Sequence, residues 1–505
     1  MNVGICNKLT QYHVTFARLL QTASSHKSSS QVTPQPAGSL SQMPGPGGLK
    51  KLPYLGTRLL FQPFSRFTPE SLGELVNSLH DKYGAIFKTR LGQHYSVHTD
   101  SARDAEAVFR SDGPYPLRRL MLLSKVYRER NGLPPALGTV SGPAWQALRS
   151  PLNPLLNTPQ VCLHYLPAQN QVADDLVSRL QENLSAACQS ELFFKFAAES
   201  IAVVCFNQRL GFLQDSQGEQ LLAAFKFVLH ATFTSMIGIE RRYLLTSYDA
   251  FYRKYEAAMR YIRQQASRYV EKVKVEVQTA DGMESNLLAS LVVRSNLQLE
   301  QILAIIDSML IAGTDSTARN LAILLYNLAR NPEQQEKART EIVELIGQDG
   351  PVTSAAMAKM QYVKACLKES MRLNFPLANG TERILARETL LSGYLVPQGT
   401  SVIMSSSRSS RDPRHFPEPE KFLPERWLRQ DVDRRIDPFA TLPFGHGARS
   451  CIGRRFAEME LLVAMAKLLQ KLRVQLLEPE LRLEVIYTPF ITPKQPIHFR
   501  FSSIH

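Results

Sequence analysis

The chain has 505 residues, and its 44% hydrophobic and 21% charged residues are the balance of a globular protein, which excludes a disordered or fibrous chain. Its net charge of +14 favours nucleic acid, an anionic membrane or an acidic protein as a partner. The six cysteines stand at wide spacings, which fits neither a disulfide framework nor a zinc cluster and favours a reducing compartment.

The first 69 residues carry seven Lys and Arg residues and no Asp or Glu. Within them, residues 1–35 combine basic residues, a Ser-rich run at 24–30 and apolar positions at helical spacing. This composition is typical of a mitochondrial transit peptide, and a disordered basic tail is the alternative. We predict a transit peptide at 1–35, with an approximate end, followed at 36–66 by a Pro/Gly-rich connector and the start of the fold.

Residues 67–505 are predicted to form one large, mainly α domain with a small β-sheet region. No second break in charge or composition follows residue 70, and no run of roughly 20 apolar residues predicts a membrane span. No glycine-rich phosphate loop follows a strand, so electrons for a redox reaction must come from a separate protein. The predicted helices cover 71–82, 101–110, 143–157, 160–190, 219–236, 247–277, 299–330, 332–346, 360–373 and 452–472, and the predicted strands cover 85–90, 94–98, 384–388 and 399–404.

One cysteine lies between glycines just before a predicted amphipathic helix, in residues 444–453 (Phe-Gly-His-Gly-Ala-Arg-Ser-Cys-Ile-Gly). Backbone amides and the helix dipole stabilise a thiolate there, and glycine lets the backbone approach a flat cofactor closely. A lone cysteine is most often a packing residue. Here, however, the whole ten-residue segment resembles the haem-binding signature of the cytochrome P450 superfamily at every position.

The resemblance implies a single haem-thiolate fold that uses haem b and O2, with NADPH only as an indirect electron source. By that resemblance Cys451 is the axial ligand of the haem iron, and Arg449 pairs with a haem propionate. Phe444 and Gly453 would pack against or hydrogen-bond the sulfur. Guanidinium groups suit propionates because they bind carboxylates in bidentate fashion and keep their charge. The further propionate-binding residues implied by family motifs are Trp145, Arg149 and Arg383.

A structural network is the second implied feature. Glu369 and Arg372 stand three residues apart on one predicted helix, and Arg426 supplies the family's usual third member. In isolation such a pair is usually a solvated surface bridge. Within the family pattern it is a buried network behind the haem.

Residues 312–317 (Ala-Gly-Thr-Asp-Ser-Thr) resemble the oxygen-activating motif of the same superfamily. An acid followed by hydroxyls, Asp315 with Ser316 and Thr317, supplies a proton path. Ser316 stands where the family usually has threonine, so the hydroxyl loses the methyl that restricts its rotamer, which predicts some uncoupling to peroxide. Hydroxyls that bond back to helix carbonyls are the alternative.

Residues 114–118, 362–369 and 453–455 resemble the mitochondrial branch. In that branch lysines corresponding to Lys364 and Lys368 receive an acidic ferredoxin, which its reductase supplies with electrons. Two solvated lysines one helical turn apart are the alternative. The implied location is the matrix side of the inner mitochondrial membrane, with peripheral contact through residues 237–245. Nothing beyond the charge supports nucleic acid as a partner.

The mitochondrial branch implies a sterol or steroid substrate in a large apolar pocket. Its expected lining is 117–128, 225–233, 310–313, 377–380 and the turn near Thr488. Residues 377–427 are most similar to arthropod enzymes that hydroxylate moulting-hormone precursors, which implies an ecdysteroid hydroxylase acting at the 2-position. Another steroid or vitamin D type hydroxylase is an alternative. A haem-thiolate isomerase or dehydratase without external electrons and a non-catalytic haem sensor are the rivals outside this chemistry.

Overall fold

The structure is a computed structural model that describes residues 37–91, 94–182, 186–214, 218–236, 249–279, 287–294, 297–378, 380–428 and 436–504. The chain divides into two compact units, residues 1–38 and 39–505. The predicted transit peptide and the predicted membrane-contact loop at 237–245 lie outside the described residues.

The fold is mainly α with small β-sheets, which confirms the predicted fold class. Three short 3-10 helices cover Gly48–Lys51, Pro69–Ser71 and Pro424–Trp427 in the described chain. The α-helices are α1 (Leu55–Arg58), α2 (Leu72–Tyr83), α3 (Ala102–Ser111), α4 (Leu122–Arg130), α5 (Gly142–Arg149), α6 (Asn153–Leu156), α7 (Pro159–His164), α8 (Leu166–Leu180), α9 (Ala186–Phe206), α10 (Glu219–Met236), α11 (Ala250–Thr279), α12 (Leu287–Arg294), α13 (Leu299–Arg330), α14 (Pro332–Ile346), α15 (Ser354–Lys359), α16 (Gln361–Leu373), α17 (Ser406–Ser409) and α18 (Arg454–Lys471).

The strands are short. They are β1 (Gly38–Ser39), β2 (Ile86–Leu91), β3 (His94–Thr99), β4 (Gly380–Ile384), β5 (Thr389–Leu391), β6 (Tyr394–Val396), β7 (Ser401–Ser405), β8 (Leu472–Leu476), β9 (Val485–Tyr487), β10 (Ile491–Pro493) and β11 (Phe499–Ser503). A four-stranded sheet has the order β2-β3-β7-β4, in which β3 and β7 run parallel and the other pairs antiparallel. The pairs β5 with β6, β8 with β11 and β9 with β10 are antiparallel.

Helix α13 is the central element of the main hydrophobic core. Apolar residues recur along its whole length, and most of them are buried between α9, α10, α11, α14, α16 and α18. A capping box between Gln298 and Gln301 begins the helix. It ends at Arg330 because Asn331, with φ −128° and ψ 73°, leaves helical geometry before Pro332, and the residue before a proline is disfavoured in that geometry. The helix predicted at 299–330 is thus confirmed.

Several predicted elements were wrong. The helix predicted at 143–157 is two helices, α5 and α6, because Pro151 and Pro154 interrupt it. The helix predicted at 160–190 is α7, α8 and the start of α9, and Pro167 stands at the start of α8. The strand predicted at 384–388 lies instead at Gly380–Ile384, where it pairs with β7. Helices α4, α12 and α15 and the strands outside the four-stranded sheet were not predicted, because their short patterns depend on partners distant in sequence.

The helix that follows Cys451 was predicted to be amphipathic, and this was wrong. In α18 every residue from Met459 to Gln470 is buried. The helix packs against α8, α13, α14 and α16, so it has no solvent face over most of its length. A helix enclosed on all sides has no polar stripe, apart from isolated buried residues such as Glu460.

Candidate active site

The loop before α18 presents Cys451. The Cys451 backbone N–H donates to the Phe444 carbonyl at 2.8 Å, which closes the loop between them. Gly445 and Gly447 have φ angles of +69° and +74°, a region that other residues seldom adopt, so glycine is needed at both turns. Gly453 is the N-cap residue of α18. The side chain of Cys451 is exposed at the end of this loop.

Opposing effects act on the Cys451 thiol. Although its surface is accessible, protein atoms surround the residue closely enough that burial raises the pKa of the thiol. The backbone N–H of Gly453 and the positive charges of Arg149 and Arg454 lower that pKa. Glu458 raises it. The backbone and arginine contributions are those expected for a thiolate at a helix N-terminus.

Four arginines lie together beside this loop, and their charges disfavour one another. Burial, together with the charges of Arg118, Arg383 and Arg149, lowers the pKa of Arg449 to about 9. Asp112 is the carboxylate that offsets these charges at Arg449. We call Arg118, Arg149, Arg383 and Arg449 the arginine cluster. An excess of buried positive charge of this kind requires an anionic ligand.

Arg449 has donors available for such a ligand. Its Nη2 donates to the Val140 carbonyl at 2.8 Å and to Ser141 Oγ at 3.2 Å, and its guanidinium lies 4.4 Å from the centre of the Trp145 ring. Its Nε and Nη1 are buried and have no hydrogen-bond partner among the described residues. Two unpaired donors in an arginine cluster next to an accessible cysteine fit the carboxylates of a haem, so the residues present match the cofactor that the sequence implies.

The other two predicted arginines donate to protein atoms. Arg149 donates to Asn153 Oδ1 at 2.9 Å and to the Ser450 carbonyl at 3.0 Å, one residue before Cys451. Arg383 is buried and donates to Asp112 Oδ2, the Glu382 carbonyl and the His446 carbonyl, each at 3.0 Å. These bonds tie the arginines to the loop and leave Arg449 as the cluster member with orphaned donors.

The three residues of the predicted proton path lie on helix α13, and their side chains occupy different faces of that helix. Asp315 is buried and accepts from Arg319 Nε at 2.8 Å, and burial raises its pKa although Arg319 and Lys226 lower it. Ser316 Oγ donates to the Ala312 carbonyl at 2.7 Å. Thr317 is buried, and its hydroxyl faces Glu460 on α18 at 3.4 Å. The hydroxyl that remains partly accessible is therefore that of Ser316.

The structure brings the predicted network residues together. Arg372 donates from Nε and Nη2 to both oxygens of Glu369 at 2.9 and 2.8 Å, and both side chains are fully buried. Arg426 Nε donates to Glu369 Oε1 at 2.9 Å. Trp427 Nε1, which the sequence did not suggest, donates to Glu369 Oε2 at 2.8 Å. Glu369 thus joins α16 to the 3-10 helix Pro424–Trp427.

The two predicted docking lysines lie on α16. Lys368 is exposed, with its Nζ 5.9 Å from the Trp427 ring centre. Lys364 is partly exposed and donates to the Ala358 carbonyl at 2.9 Å. Burial lowers its pKa, Glu341 raises it, Lys368 lowers it and Glu458 raises it. The influence of Glu458, a residue of α18, places these lysines near the helix that begins beside Cys451.

Sequence reasoning missed three residues of the site. Arg118 belongs to the arginine cluster, but its motif indicated only the branch of the family. Asp112 holds Arg383, and an acid after a helix carries no local signal for that contact. Glu460 is an isolated acid in an otherwise apolar helix, which is a signal that the sequence does offer.

No helix in the described ranges is long and apolar enough to span a membrane.

Comparisons with known proteins agree along nearly the whole chain. Residues 46–501 match the family profile described as Cytochrome P450. The human protein named "Sterol 26-hydroxylase, mitochondrial" is 31% identical over 484 residues, which cover 90% of this chain and 90% of that protein. "Cytochrome P450 27C1" of Danio rerio is 29% identical over 479 residues, covering 92% and 87%. "Probable cytochrome P450 12a5, mitochondrial" of Drosophila melanogaster is 30% identical over 482 residues, covering 88% of each chain.

Proposed function

Because the chain belongs to the cytochrome P450 family, we propose that it is a mitochondrial monooxygenase that inserts one oxygen atom of O2 into a C–H bond of a sterol or steroid. It is a haem-thiolate enzyme with haem b as its cofactor. The observation that carries the proposal is the position of Cys451, accessible between two glycine turns and α18 and next to an arginine cluster with unpaired donors.

In this proposal Cys451 is the thiolate ligand of the haem iron. The bound haem supplies the activation of O2 and the insertion of oxygen. The Phe444 carbonyl accepts from the Cys451 N–H and Arg149 donates to the Ser450 carbonyl, so the loop is fixed at the cysteine and its sulfur keeps one orientation. Arg449 would donate hydrogen bonds from its two unpaired nitrogens to the propionates, and the Trp145 ring packs against its guanidinium group. Arg383 supports the same side through its bond to the His446 carbonyl.

On α13 the chain provides a proton path. We propose that Ser316 is the hydroxyl that delivers protons, because it is partly accessible while the Thr317 hydroxyl faces Glu460. To do so it must leave its bond to the Ala312 carbonyl, which is the bond back to the helix named above as the alternative. We propose that Asp315, which accepts a hydrogen bond from Arg319, supplies the proton that Ser316 passes on. Burial raises the pKa of Asp315 and so favours its protonated form.

We place the enzyme in the mitochondrion, on the matrix side of the inner membrane, with electrons delivered by a ferredoxin and its reductase. The names of two relatives include the word mitochondrial. Residues 1–35 serve as the transit peptide in this proposal. Lys364 and Lys368 form the docking site for the acidic ferredoxin in this proposal, because they stand one turn apart on α16 and the charge of Glu458, near the start of α18, acts on Lys364.

For the substrate we propose an ecdysteroid precursor hydroxylated at the 2-position. The support is the resemblance of residues 377–427 to arthropod enzymes and the similarity of the chain to Drosophila proteins, while the mammalian relatives are sterol 26-hydroxylases by name. Those relatives support a sterol as the broader class, with other steroids and secosteroids of the vitamin D type as the alternatives. Each member of this class is large and apolar, which is the kind of ligand that the expected apolar pocket would hold.

Reconstituted turnover tests the proposal. The purified holoenzyme is combined with NADPH, ferredoxin reductase, ferredoxin and a panel of ecdysteroid precursors, cholesterol and secosteroids, and products are identified by mass spectrometry. We expect one added oxygen atom, labelled when 18O2 is supplied, and only when both ferredoxin and NADPH are present. A product formed without ferredoxin and NADPH would instead support an isomerase or dehydratase. Hydroxylation of another steroid alone would reassign the substrate.

A further inference from the structure

Helix α16, which contains both predicted docking lysines, begins without a capping residue of its own. Its N-cap residue is Met360, whose side chain makes no capping hydrogen bond, and no acidic residue lies in its first turn. The first N–H groups of an α-helix have no partner within the helix, so they need an acceptor from elsewhere. Most helices obtain one from Ser, Thr, Asp or Asn at the N-cap. Here a neighbouring element must supply it.

Glu341 of α14 supplies that acceptor. Its Oε1 accepts from the backbone N–H groups of Gln361 at 2.8 Å and Tyr362 at 2.9 Å, and its Oε2 accepts from that of Val363 at 2.9 Å. The remaining N–H group of this turn, on Met360, donates to a carbonyl of α15 at 3.1 Å. One carboxylate from another helix therefore accepts from three of the four N–H groups that begin α16. Its negative charge at a helix N-terminus is also favoured by the helix dipole.

The same carboxylate acts on one of the two docking lysines. Lys364 follows directly after the three N–H groups, and its Nζ donates to the Ala358 carbonyl at 2.9 Å, so its side chain folds back over the start of the helix. Burial lowers the pKa of Lys364, and the charge of Glu341 raises it. Glu341 therefore affects both the backbone that presents Lys364 and the charge of that lysine.

Two neighbouring elements hold the first turn of α16 in place. Helix α14, which provides Glu341, packs against α16 and against α18, the helix that begins beside Cys451. The Tyr362 hydroxyl donates to Glu425 Oε1 at 2.8 Å, which ties the same turn to the 3-10 helix Pro424–Trp427. The position of this turn is thus set by contacts with elements distant in sequence rather than by α16 alone.

We propose that Glu341 is a positioning residue for ferredoxin docking. It fixes the first turn of α16, and through that turn it fixes the place from which Lys364 meets the acidic partner. A negative charge beside such a site would by itself weaken binding, because like charges repel. Glu341 favours binding on balance because its hydrogen bonds hold the turn. The inference rests on the proposed docking of ferredoxin at Lys364 and Lys368, and it adds a residue that acts through Lys364.

Steady-state kinetics of the full-length, haem-loaded protein test the inference. Glu341→Gln places an amide nitrogen where one of the two oxygens accepted a bond, and Glu341→Ala removes the acceptor altogether. We expect the apparent Michaelis constant for ferredoxin to rise about fivefold in Glu341→Gln and about tenfold or more in Glu341→Ala, because a lost helix cap is costly. The rate at saturating ferredoxin and the spectral change on substrate binding should stay those of the wild type, which shows that each variant is folded.

Glu344→Gln is the matched control, because it removes the same charge from an exposed position of the same helix. It should not raise the Michaelis constant for ferredoxin. A Michaelis constant that falls in Glu341→Gln would show that the charge of Glu341 repels the partner and that its hydrogen bonds do not matter, which overturns the inference. An unchanged value in both Glu341 variants, or an equal rise in the control, also overturns it.

A double-mutant cycle distinguishes positioning from a general loss of stability. If Glu341 acts through Lys364, the effects of changing the two residues are not additive. In the Lys364→Gln background, Glu341→Gln should raise the Michaelis constant by less than about twofold, and a full additional rise overturns the inference. Amide hydrogen exchange of residues 361–363 should be about tenfold faster in Glu341→Gln than in the wild type. Equal protection in the two proteins would likewise overturn it.

The charge-reversal variant Lys364→Glu with Lys368→Glu separates this inference from the proposed docking site. If that variant raises the Michaelis constant for ferredoxin while both Glu341 variants match the wild type, the docking site stands and the role of Glu341 is overturned. If charge reversal leaves the Michaelis constant unchanged, ferredoxin does not dock at α16, and the docking site and the inference are overturned together.

Discussion

At Arg449 the fold maintains a charge that its own surroundings disfavour. Burial and three neighbouring arginines lower the pKa of this guanidinium to about 9, and two of its nitrogens are orphaned. Leaving a buried donor unpaired typically costs about 1–3 kcal/mol. An arginine of this kind lowers the folding stability of the protein without its ligand. It suits an anionic cofactor, because the ligand accepts the hydrogen bonds that no protein group accepts.

The two adjacent hydroxyls of α13 have separable roles. Replacing Ser316 by Ala should raise peroxide release per NADPH consumed by about twofold or more, because the accessible hydroxyl of the proton path is lost. Thr317→Ala is the matched control and should leave coupling nearly unchanged, since its hydroxyl faces Glu460. Peroxide and product are measured together in the reconstituted system. Unchanged coupling in Ser316→Ala, with uncoupling in Thr317→Ala, would transfer the role to Thr317.

At the residue scale, the sequence could predict a candidate site residue only where that residue belongs to a contiguous motif. The segment around Cys451 and the motif at 312–317 carry their spacing in the chain itself. Asp112 meets Arg383 across 271 positions, and Glu460 meets Thr317 across 143, so no local pattern predicts either contact. The different proposed roles of the Ser316 and Thr317 hydroxyls also depend on helix packing, because packing determines which face of α13 is buried.

At the scale of elements, sequence periodicity predicted long helices better than short ones. Helix α13 was predicted with its observed bounds, because an apolar repeat, a cap and a following proline all agree. Strand β4 was misplaced by four residues, because its position is set by its pairing with β7 rather than by its own pattern. The sequence predicted a solvent-exposed face along helix α18, whereas its neighbours bury every residue from Met459 to Gln470.

The contact between α13 and α18 includes a buried acid, which predicts a specific dependence of stability on pH. Burial raises the pKa of Glu460 from 4.5 to about 8, and the Thr317 hydroxyl lowers it only in part. Between these values the unfolded chain has lost a proton that the folded protein keeps. Folding stability therefore falls as pH rises through this window, by about 1.4 kcal/mol per unit at most.

Glu460→Gln should remove that dependence, because a neutral amide of the same shape needs no proton. Its thermal midpoint should match the wild type near pH 4.5 and exceed it by several degrees near pH 8, a gain of about 2–4 kcal/mol. Glu458→Gln, on the partly exposed side of the same helix, is the control and should shift stability by less than about 0.5 kcal/mol. Parallel curves for Glu460→Gln and wild type would contradict a buried neutral acid at this position.

At the scale of the whole molecule, the excess positive charge includes three groups of residues, and each group has a different proposed role. The first 69 residues carry seven positive charges and no negative ones, and three of the seven lie in the proposed transit peptide, where they would serve import. The arginine cluster adds cations where a haem carboxylate would meet them. Lys364 and Lys368 add two where an acidic ferredoxin would dock. The net charge alone, which first allowed nucleic acid as a partner, could not have shown this distribution.

Charge reversal tests the ferredoxin site. Lys364→Glu with Lys368→Glu should raise the apparent Michaelis constant for ferredoxin about tenfold, with the effect shrinking as salt is added, because steering by exposed charges is screened. The spectral change on substrate binding should stay the same. Lys494→Glu, an exposed lysine paired with Glu484 elsewhere, is the control and should leave ferredoxin kinetics unchanged. A changed substrate spectrum with normal ferredoxin kinetics would contradict docking at α16.

The central claim, a haem iron ligated by the thiolate of Cys451, is tested most directly by the carbon-monoxide difference spectrum of the reduced, haem-loaded protein. We expect the Soret band that marks a thiolate ligand in the wild type, and its loss in Cys451→Ser with folded structure retained by circular dichroism. Cys366→Ser, at a buried cysteine of α16, should keep the band. A well-folded, haem-loaded wild type without this band, or a Cys451→Ser variant that keeps it, would contradict the claim.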